Sequence, residues 1–218
     1  MPSPDSNPSP KQAAKRKATE QRILDAFERL LQRGGSESVG INAVVEEAQV
    51  GKGLIYAYFG GLEGLVQAWA AQKKFEPAPE DIIGEPIERF RQRSKPQQVA
   101  AVHRHYAGML RDSPLAAHIM AEELFKPGQL SETLDRIRKR LGASHEKIFT
   151  ELAPLEDSQQ FALCMIFLAA ANYLGLRAHA APNFNGIQLD TDAGWAQAMS
   201  LFDEVAEALA PAPEDPPN

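Results

Sequence analysis

Apolar residues recur at spacings of three and four through most of the chain, and no segment alternates apolar and polar residues as a half-buried strand does. The first such stripe runs from Ile23 to Leu31 and ends at Gly34-Gly35, where a left-handed residue costs least. The pattern predicts an all-α fold.

Two short helices follow the first one. Residues 41–48 carry apolar side chains on one face, Gln49-Val50-Gly51 interrupts the pattern, and residues 52–59 resume it. Two short helices joined by a tight turn are the outline of a helix-turn-helix. Beyond Gly60-Gly61, a fourth helix runs towards Phe75.

Four prolines and glycines between residues 77 and 86 mark a junction with a larger helical body. The predicted domains are a disordered lead at 1–10, a helix-turn-helix domain at 11–75, a helical domain at 76–210 and a disordered tail at 211–218. The body is predicted to contain helices from about Pro96 to Arg111, Pro114 to Phe125, Ser131 to Leu152, Asp157 onwards through a capping box with Gln160, and Asp192 to Ala210.

The segment from Ser158 to Leu176 carries no charge, and Phe161 to Ala171 is apolar without interruption. A membrane span needs about 20 apolar residues, and this stretch is too short and too polar at its ends. We therefore expect a helix buried on every side, partly against a second subunit in a four-helix bundle; burial within one subunit is the alternative. The dimer-interface candidates are Phe161, Met165, Leu168, Trp195, Met199 and Phe202.

Composition places the chain among soluble globular proteins, with 218 residues, 44% of them hydrophobic and 24% charged. The one cysteine, Cys164, cannot form an intrachain disulfide or supply a zinc or iron–sulfur site. The stretch from Met1 to Pro10 has no apolar core of the kind that a secretory signal or membrane anchor needs. We expect a cytoplasmic protein.

Charge is distributed unevenly along the chain. The net charge is −6, yet residues 1–75 hold 10 Lys/Arg against 8 Asp/Glu, and residues 76–218 hold 13 against 21. Five basic residues and one acidic residue lie between Lys11 and Arg22. A basic segment at one end of an acidic protein indicates a local site for a polyanion.

The second short helix, residues 52–59, has an outer face made of small residues. With Ile55, Tyr58 and Phe59 turned inward, Gly53 and Ala57 fall at the centre of the opposite face. Lys52 and Tyr56 border that centre on one side and Leu54 on the other. Such a helix fits deep in a DNA major groove, with Lys52 and the tyrosine hydroxyl groups near phosphates and the apolar centre near base edges or thymine methyl groups. Packing against another helix is the alternative interpretation.

The segment AQVGKGLIYAYF, residues 48–59, followed by LEGL, residues 62–65, resembles the helix-turn-helix of TetR-type transcriptional regulators, which typically read AGVSKGTLYxYFxSKExL. The resemblance covers roughly residues 18–72. It implies a homodimer, DNA reading by the third helix and a ligand pocket in the body. It also implies that Lys52, Tyr56 and Tyr58 touch the DNA backbone, whereas Ile55 and Phe59 hold the third helix on the second.

Four of the departures from that pattern affect helix caps or DNA contacts. Gly51 and Gly61 replace serine helix caps, Leu54 replaces a threonine that faces DNA, and Leu62 replaces a lysine. Each lost phosphate contact flattens the salt dependence of binding by roughly one unit of slope. Lys15, Arg16 and Lys17, in a basic arm reaching the backbone or minor groove, are candidates to compensate; a solvated basic tail is the alternative.

Polar residues on the apolar stripes of the body are candidates for ligand binding. His103 and Tyr106 share the stripe of one predicted helix, and Asn172 lies on that of another. The full candidate set is His103, Tyr106, Met120, Met165 and Asn172; for His103 a hydrogen-bonded core histidine is the alternative. No metal or cofactor site is predicted, and the chain lacks a glycine-rich phosphate loop, a Gly-x-Ser-x-Gly elbow and a His-Glu-x-x-His pair, so no enzyme activity is expected.

Taken together, these features predict a ligand-responsive, sequence-specific DNA-binding transcriptional regulator, a repressor released from its double-stranded operator by a small molecule. The competing hypothesis is a helical sensor or interaction protein that has kept the fold and lost tight DNA binding.

Overall fold

The computed structural model describes residues 10–72, 78–125, 139 and 142–210, with the side chains of residues 122–125 left out. Ten helices have defined bounds in these ranges: α1 Pro10–Gly34, α2 Ile41–Ala48, α3 Lys52–Phe59, α4 Leu62–Gln72, α5 Pro79–Ile83, α6 Ile87–Arg91, α7 Lys95–Asp112, α8 Pro114–Phe125, α9 Ser158–Ala180 and α10 Asp192–Ala208. A 3₁₀ turn lies at Ser36–Ser38, and helical residues 142–147 continue into a π-helical turn at Ile148–Leu152.

The predicted helices match these bounds closely because each is delimited by local signals. Thr191 caps α10 by accepting a hydrogen bond from the Gly194 amide, and Asp157 caps α9 by accepting one from the Gln160 amide. The capping box is incomplete, because the Gln160 side chain accepts from the amide of Glu156 and not from that of Asp157. Residues 1–9 of the predicted lead, the predicted tail, and residues 131–138, 140 and 141 of the helix expected over 131–152 lie outside the described residues.

Two hydrophobic cores organise the chain. The N-terminal core lies among α1–α4 and includes Phe27 and Trp69, whose rings are 5.4 Å apart. The body core gathers α5–α7, the 148–152 turn, α9 and α10. Ile83 and Phe90, on the short helices of the predicted junction, are fully buried in the body core, so residues 78–91 are part of the body and not a linker.

Helix α8 joins the two cores. Its Leu115 and Ile119 pack against the N-terminal core, and the helix also contacts α1, α7 and α9. Because α8 follows α7 after a single residue, Ser113, the helix that packs on the N-terminal core is directly continuous with the body.

Within one subunit helix α9 buries only one face, so the alternative of burial within a single subunit is not supported, and cover of the other face by a second subunit stays a prediction. Leu163, Phe167 and Ala171 are buried against the body, where a Cβ on Gly175 would come within 2.6 Å of the Leu110 Cβ. By length and composition α9 could also cross a membrane, a property that core helices of soluble proteins share. Its close packing on α7 is that of a core helix.

A small hairpin departs from the all-α prediction. Asn183–Phe184 and Ile187–Gln188 pair as antiparallel strands β1 and β2 between α9 and α10. Asn185 and Gly186 form the turn with φ of 51° and 89°, which this type of two-residue hairpin requires. The strands are too short to produce an alternating pattern in the sequence.

Candidate DNA-binding surface and body cluster

The turn between α2 and α3 is held by backbone hydrogen bonds. Gln49 ends α2 in the left-handed conformation, and the Val50 amide donates to the Val45 carbonyl group over 3.1 Å. The Leu54 amide then donates to the carbonyl group of Gly51, the residue before α3, over 2.9 Å. The two helices thus form the predicted helix-turn-helix although Gly51 offers no capping side chain.

Buried contacts fix α2 and α3 against the rest of the N-terminal unit. Ile55 is fully buried, and Tyr58 and Phe59 pack against the same core.

Glu47 of α2 binds Arg29 and Arg33 of α1 over 2.8 and 2.6 Å, and these guanidinium groups lower the pKa of the Glu47 carboxyl group. Spacing along one helix does not reveal this link between α1 and α2, and the sequence interpretation missed it.

Helix α4 approaches the end of α3 too closely for a side chain at position 64. A Cβ built on Gly64 would lie 1.8 Å from the carbonyl oxygen of Phe59. Gly60 and Gly61 between the helices have φ of 73° and 129°, values that favour glycine. The three glycines set the angle at which α4 leaves α3.

The outer face of α3 is uncovered. Apart from its chain neighbours and the adjacent backbone of α3, no described residue has an atom within 4 Å of a Cβ built on Gly53, and Lys52 and Ala57 are exposed. Tyr56 is 51% exposed and Leu54 is half-buried. The alternative that Gly53 and Ala57 pack against another helix of this chain is therefore not supported by the part of the chain that the structure describes.

The basic segment is part of a helix, contrary to the expectation of a free arm. Helix α1 begins at Pro10, so Lys15, Arg16 and Lys17 lie on its first turns and are exposed. The Arg16 guanidinium stands 4.9 Å from the centre of the Tyr58 ring and also binds Glu20 over 2.7 Å. This contact places the positive end of α1 beside α3.

Residues 23–69 match the model of a family described as bacterial regulatory proteins, tetR family. The N-terminal helices of the protein are therefore similar to the helix-turn-helix domain of that family. The match spans α1 to α4 as the helix-turn-helix resemblance implied, and the family is one of regulatory proteins and not of enzymes. No curated protein sequence is significantly similar to the chain.

Solved structures resemble most of the chain at low sequence identity. A mutant of the protein HlyIIR is 16% identical with a TM-score of 0.50, over 90% of this chain and 98% of that one. FadR from Bacillus subtilis in complex with stearoyl-CoA is 19% identical, with a TM-score of 0.47 over 87% and 97%. A TetR-family transcriptional regulator from Haemophilus influenzae is 16% identical, with a TM-score of 0.47 over 84% and 97%. The TetR-type domain is thus followed by a helical body whose fold is shared with HlyIIR.

His103 of α7 is fully buried in the helical body that follows the TetR-type domain. Its Nδ1 is 2.7 Å from the Val99 carbonyl oxygen, and its Nε2 is 3.8 Å from Cys164 Sγ. Burial lowers the pKa of His103 from 6.5 to about 4 and raises the pKa of Cys164 to about 11, so both are neutral at pH 7. The hydrogen bonds favour the interpretation of His103 as a core histidine.

Two other candidates for ligand binding are joined by a hydrogen bond. The Tyr106 hydroxyl group of α7 donates to Asn172 Oδ1 of α9 over 2.9 Å. His145 lies beside this pair and beside His103, with ring centres 6.3 and 5.1 Å away, and its buried Nε2 has no hydrogen-bond partner among the described residues. The sequence interpretation missed His145, although position 145 falls between Leu141 and Ile148 on the predicted stripe.

The remaining ligand-binding candidates lie elsewhere. Met165 is 50% exposed on the outer face of α9, so it does not line the buried cluster as predicted. Met120 is half-buried on α8.

Two of the six predicted dimer-interface residues face inward. Met199 and Phe202 are buried in the body core, where the Phe202 ring lies 4.8 Å from that of Phe167, so they are not available to a second subunit. Leu168 and Trp195 are half-buried, and Arg111 stands over the Trp195 ring at 5.2 Å. The outward apolar side chains of α9 and α10 are Phe161, Met165, Ile166, Tyr173, Leu201 and Val205.

Proposed function

We propose that the protein is a cytoplasmic, sequence-specific DNA-binding transcriptional regulator that acts as a homodimer, and that a small molecule releases it from the operator it represses. The observation that carries the proposal is the uncovered outer face of α3, with Gly53 and Ala57 at its centre and Lys52 and Tyr56 at its border. A helix with so little side-chain bulk can approach the floor of the major groove.

The charges around α3 support a DNA partner. Lys52 and the basic first turns of α1 present cations to phosphates at one end of a protein whose net charge is −6. Phosphate contacts of this kind position a reading helix without carrying sequence information.

Gel-shift titration of the full chain with the DNA upstream of its own gene tests this proposal. We expect a specific complex that Lys52→Ala or Tyr56→Ala weakens at least tenfold. Lys147→Ala, which removes an exposed charge from the body, is the matched control and leaves binding unchanged. Absence of a complex at low salt with every candidate operator would contradict the proposal.

A helical sensor or interaction protein without tight DNA binding is the second candidate. It is favoured by Leu62, which stands where the TetR-type pattern has lysine and packs against the N-terminal core. The caps of α3 and the start of α4 are glycines without side-chain hydrogen bonds. Under this alternative the chain binds a ligand with no effect on any DNA.

Exposed apolar stripes on α9 and α10 support the homodimer. On α9, Phe161, Met165, Ile166 and Tyr173 fall within about 140° of one another around the helix axis. Leu201 and Val205 lie on one side of α10. Contiguous exposed apolar surface marks an interaction site, and a two-fold axis lets the same stripes cover each other.

The neutral cluster around Tyr106, Asn172 and His145 supports an effector site. It joins α7, α9 and the 142–152 segment, and α7 leads directly into α8, which packs on the TetR-type domain. A ligand that moves α7 therefore changes the position of α3. For a compound that releases the DNA in a screen, Asn172→Ala and Tyr106→Phe should weaken binding; unchanged affinity in both variants removes them from the site.

A further inference from the structure

Helix α3 carries few polar side chains. Of its eight residues, KGLIYAYF, only Lys52, Tyr56 and Tyr58 carry polar side-chain atoms. The guanidinium of Arg16 stands over the Tyr58 ring. Adenine is recognised in the major groove mainly by Asn or Gln, and cytosine by Glu or Asp, and α3 contains none of these.

The surface that α3 offers in place of hydrogen-bonding groups is hydrocarbon. Leu54 is half-buried and Ala57 is exposed; they are i, i+3 neighbours on one side of the space left by Gly53. The apolar group that a base pair presents in the major groove is the C5-methyl group of thymine. Because Gly53 has no side chain, the helix can come near enough to the bases for Leu54 and Ala57 to touch such a group. A larger residue at position 53 would meet the bases first and hold the helix away from them.

We propose that α3 selects its operator by contact of Leu54 and Ala57 with thymine methyl groups, so that each half-site contains thymines facing these two residues. This inference rests on the proposed function, since it concerns the same surface. Lys52 and Tyr56 then hold the helix on the phosphates, and the methyl contacts distinguish operator from other DNA.

The test first selects binding sites from random duplex DNA with the full-length protein. Each thymine of the selected site is then replaced singly by 2′-deoxyuridine, which removes only the methyl group. We expect one or two positions per half-site at which the Kd rises about fourfold, the factor for losing one buried methyl contact. Thymines outside the α3 footprint serve as internal controls and show no change.

The variant Leu54→Ala identifies which thymine methyl group contacts Leu54. In this variant, deoxyuridine at the position read by Leu54 should have no further effect, whereas the position read by Ala57 keeps its fourfold effect. Met109→Ala, a truncation at another exposed apolar residue, is the matched control and preserves both effects.

Three results are distinguishable. Specific binding without any deoxyuridine effect overturns the methyl readout and leaves the proposed function standing. Equal losses at thymines inside and outside the footprint indicate readout of DNA shape and also overturn it. Failure to enrich any sequence overturns the proposed function and this inference together. The substitutions in DNA leave the protein intact, so the test does not depend on the folding of Leu54→Ala.

Discussion

The carbonyl oxygen of Phe59 occupies the space that a side chain on Gly64 would need, with 1.8 Å between that oxygen and a Cβ built on the glycine. A Cβ built on Gly53, one helix earlier, would meet no described residue within 4 Å apart from its chain neighbours and the adjacent backbone of α3. The two helical glycines thus have different roles: Gly64 allows α4 to pack closely on α3, whereas Gly53 keeps the outer face of α3 free of side-chain bulk.

Alanine at the two positions should therefore change stability in opposite directions. Gly64→Ala forces α4 away from α3 and should lower the free energy of unfolding by about 2 kcal/mol. Gly53→Ala should raise it by up to about 1 kcal/mol, the difference in helix propensity. Urea unfolding followed by circular dichroism measures both. Equal stability of the two variants would contradict the close approach at Gly64.

Salt dependence of operator binding should report Lys52 as a phosphate contact. Lys52→Ala should reduce the slope of log K against log salt by about one unit while leaving the preference among sequences unchanged. Lys147→Ala should leave the slope unchanged. A changed sequence preference in Lys52→Ala would show instead that this lysine contacts a base.

Buried His103 should make the protein less stable in mild acid. Burial holds its pKa at about 4, whereas in the unfolded chain it is near 6.5, so the unfolded state takes up the proton first as the pH falls. The contribution of His103 is complete above pH 6.5, declines between pH 6.5 and 4, and amounts to about 3 kcal/mol.

Urea unfolding at a series of pH values checks this prediction, with His103→Phe as the comparison because an aromatic ring there keeps the stacking on Phe149. In His103→Phe, most of the decline in the free energy of unfolding between pH 6.5 and 4 should be absent. Burial also lowers the pKa of His145, which leaves a smaller slope. The same decline in both proteins would assign it to other groups.

The exposed stripe of α9 should control the oligomeric state. Ile166→Lys places a charge at the most exposed of its large apolar side chains and should convert a dimer into a monomer of 23.9 kDa in light scattering at micromolar concentration. Met109→Lys, on an exposed apolar residue of α7, should leave the dimer intact. A wild-type mass of 23.9 kDa would refute the dimer itself.

Local signals in the sequence predict the helices, but not which face of an apolar helix lies inside. Gly51 and Gly60 delimit α3, and the single apolar stripe of α3 identifies Ile55 as its buried residue. Helix α9 is apolar on all sides, so periodicity cannot separate buried Phe167 from exposed Ile166. The single stripe of α10 places Met199 and Phe202 on a buried face, but it does not tell whether that face meets the body or a second subunit.

Contacts between distant segments are equally hidden. The partner of His103 Nε2 is Cys164, and the space occupied at Gly64 is defined by the backbone of another helix. The apolar stripe of a single helix predicts the direction in which a side chain points, but not which residues of other segments it contacts. Leu54 and Ala57, by contrast, could be placed from the sequence because α3 contacts its own domain through one face only.

Leu115 and Ile119 of α8 pack against the hydrophobic core of the TetR-type domain although they lie more than forty positions beyond its last helix. A proteolytic or recombinant fragment ending after α4 would leave that part of its interior open to water. Melting of the body should therefore uncover an apolar patch on the TetR-type domain, and that patch should promote aggregation.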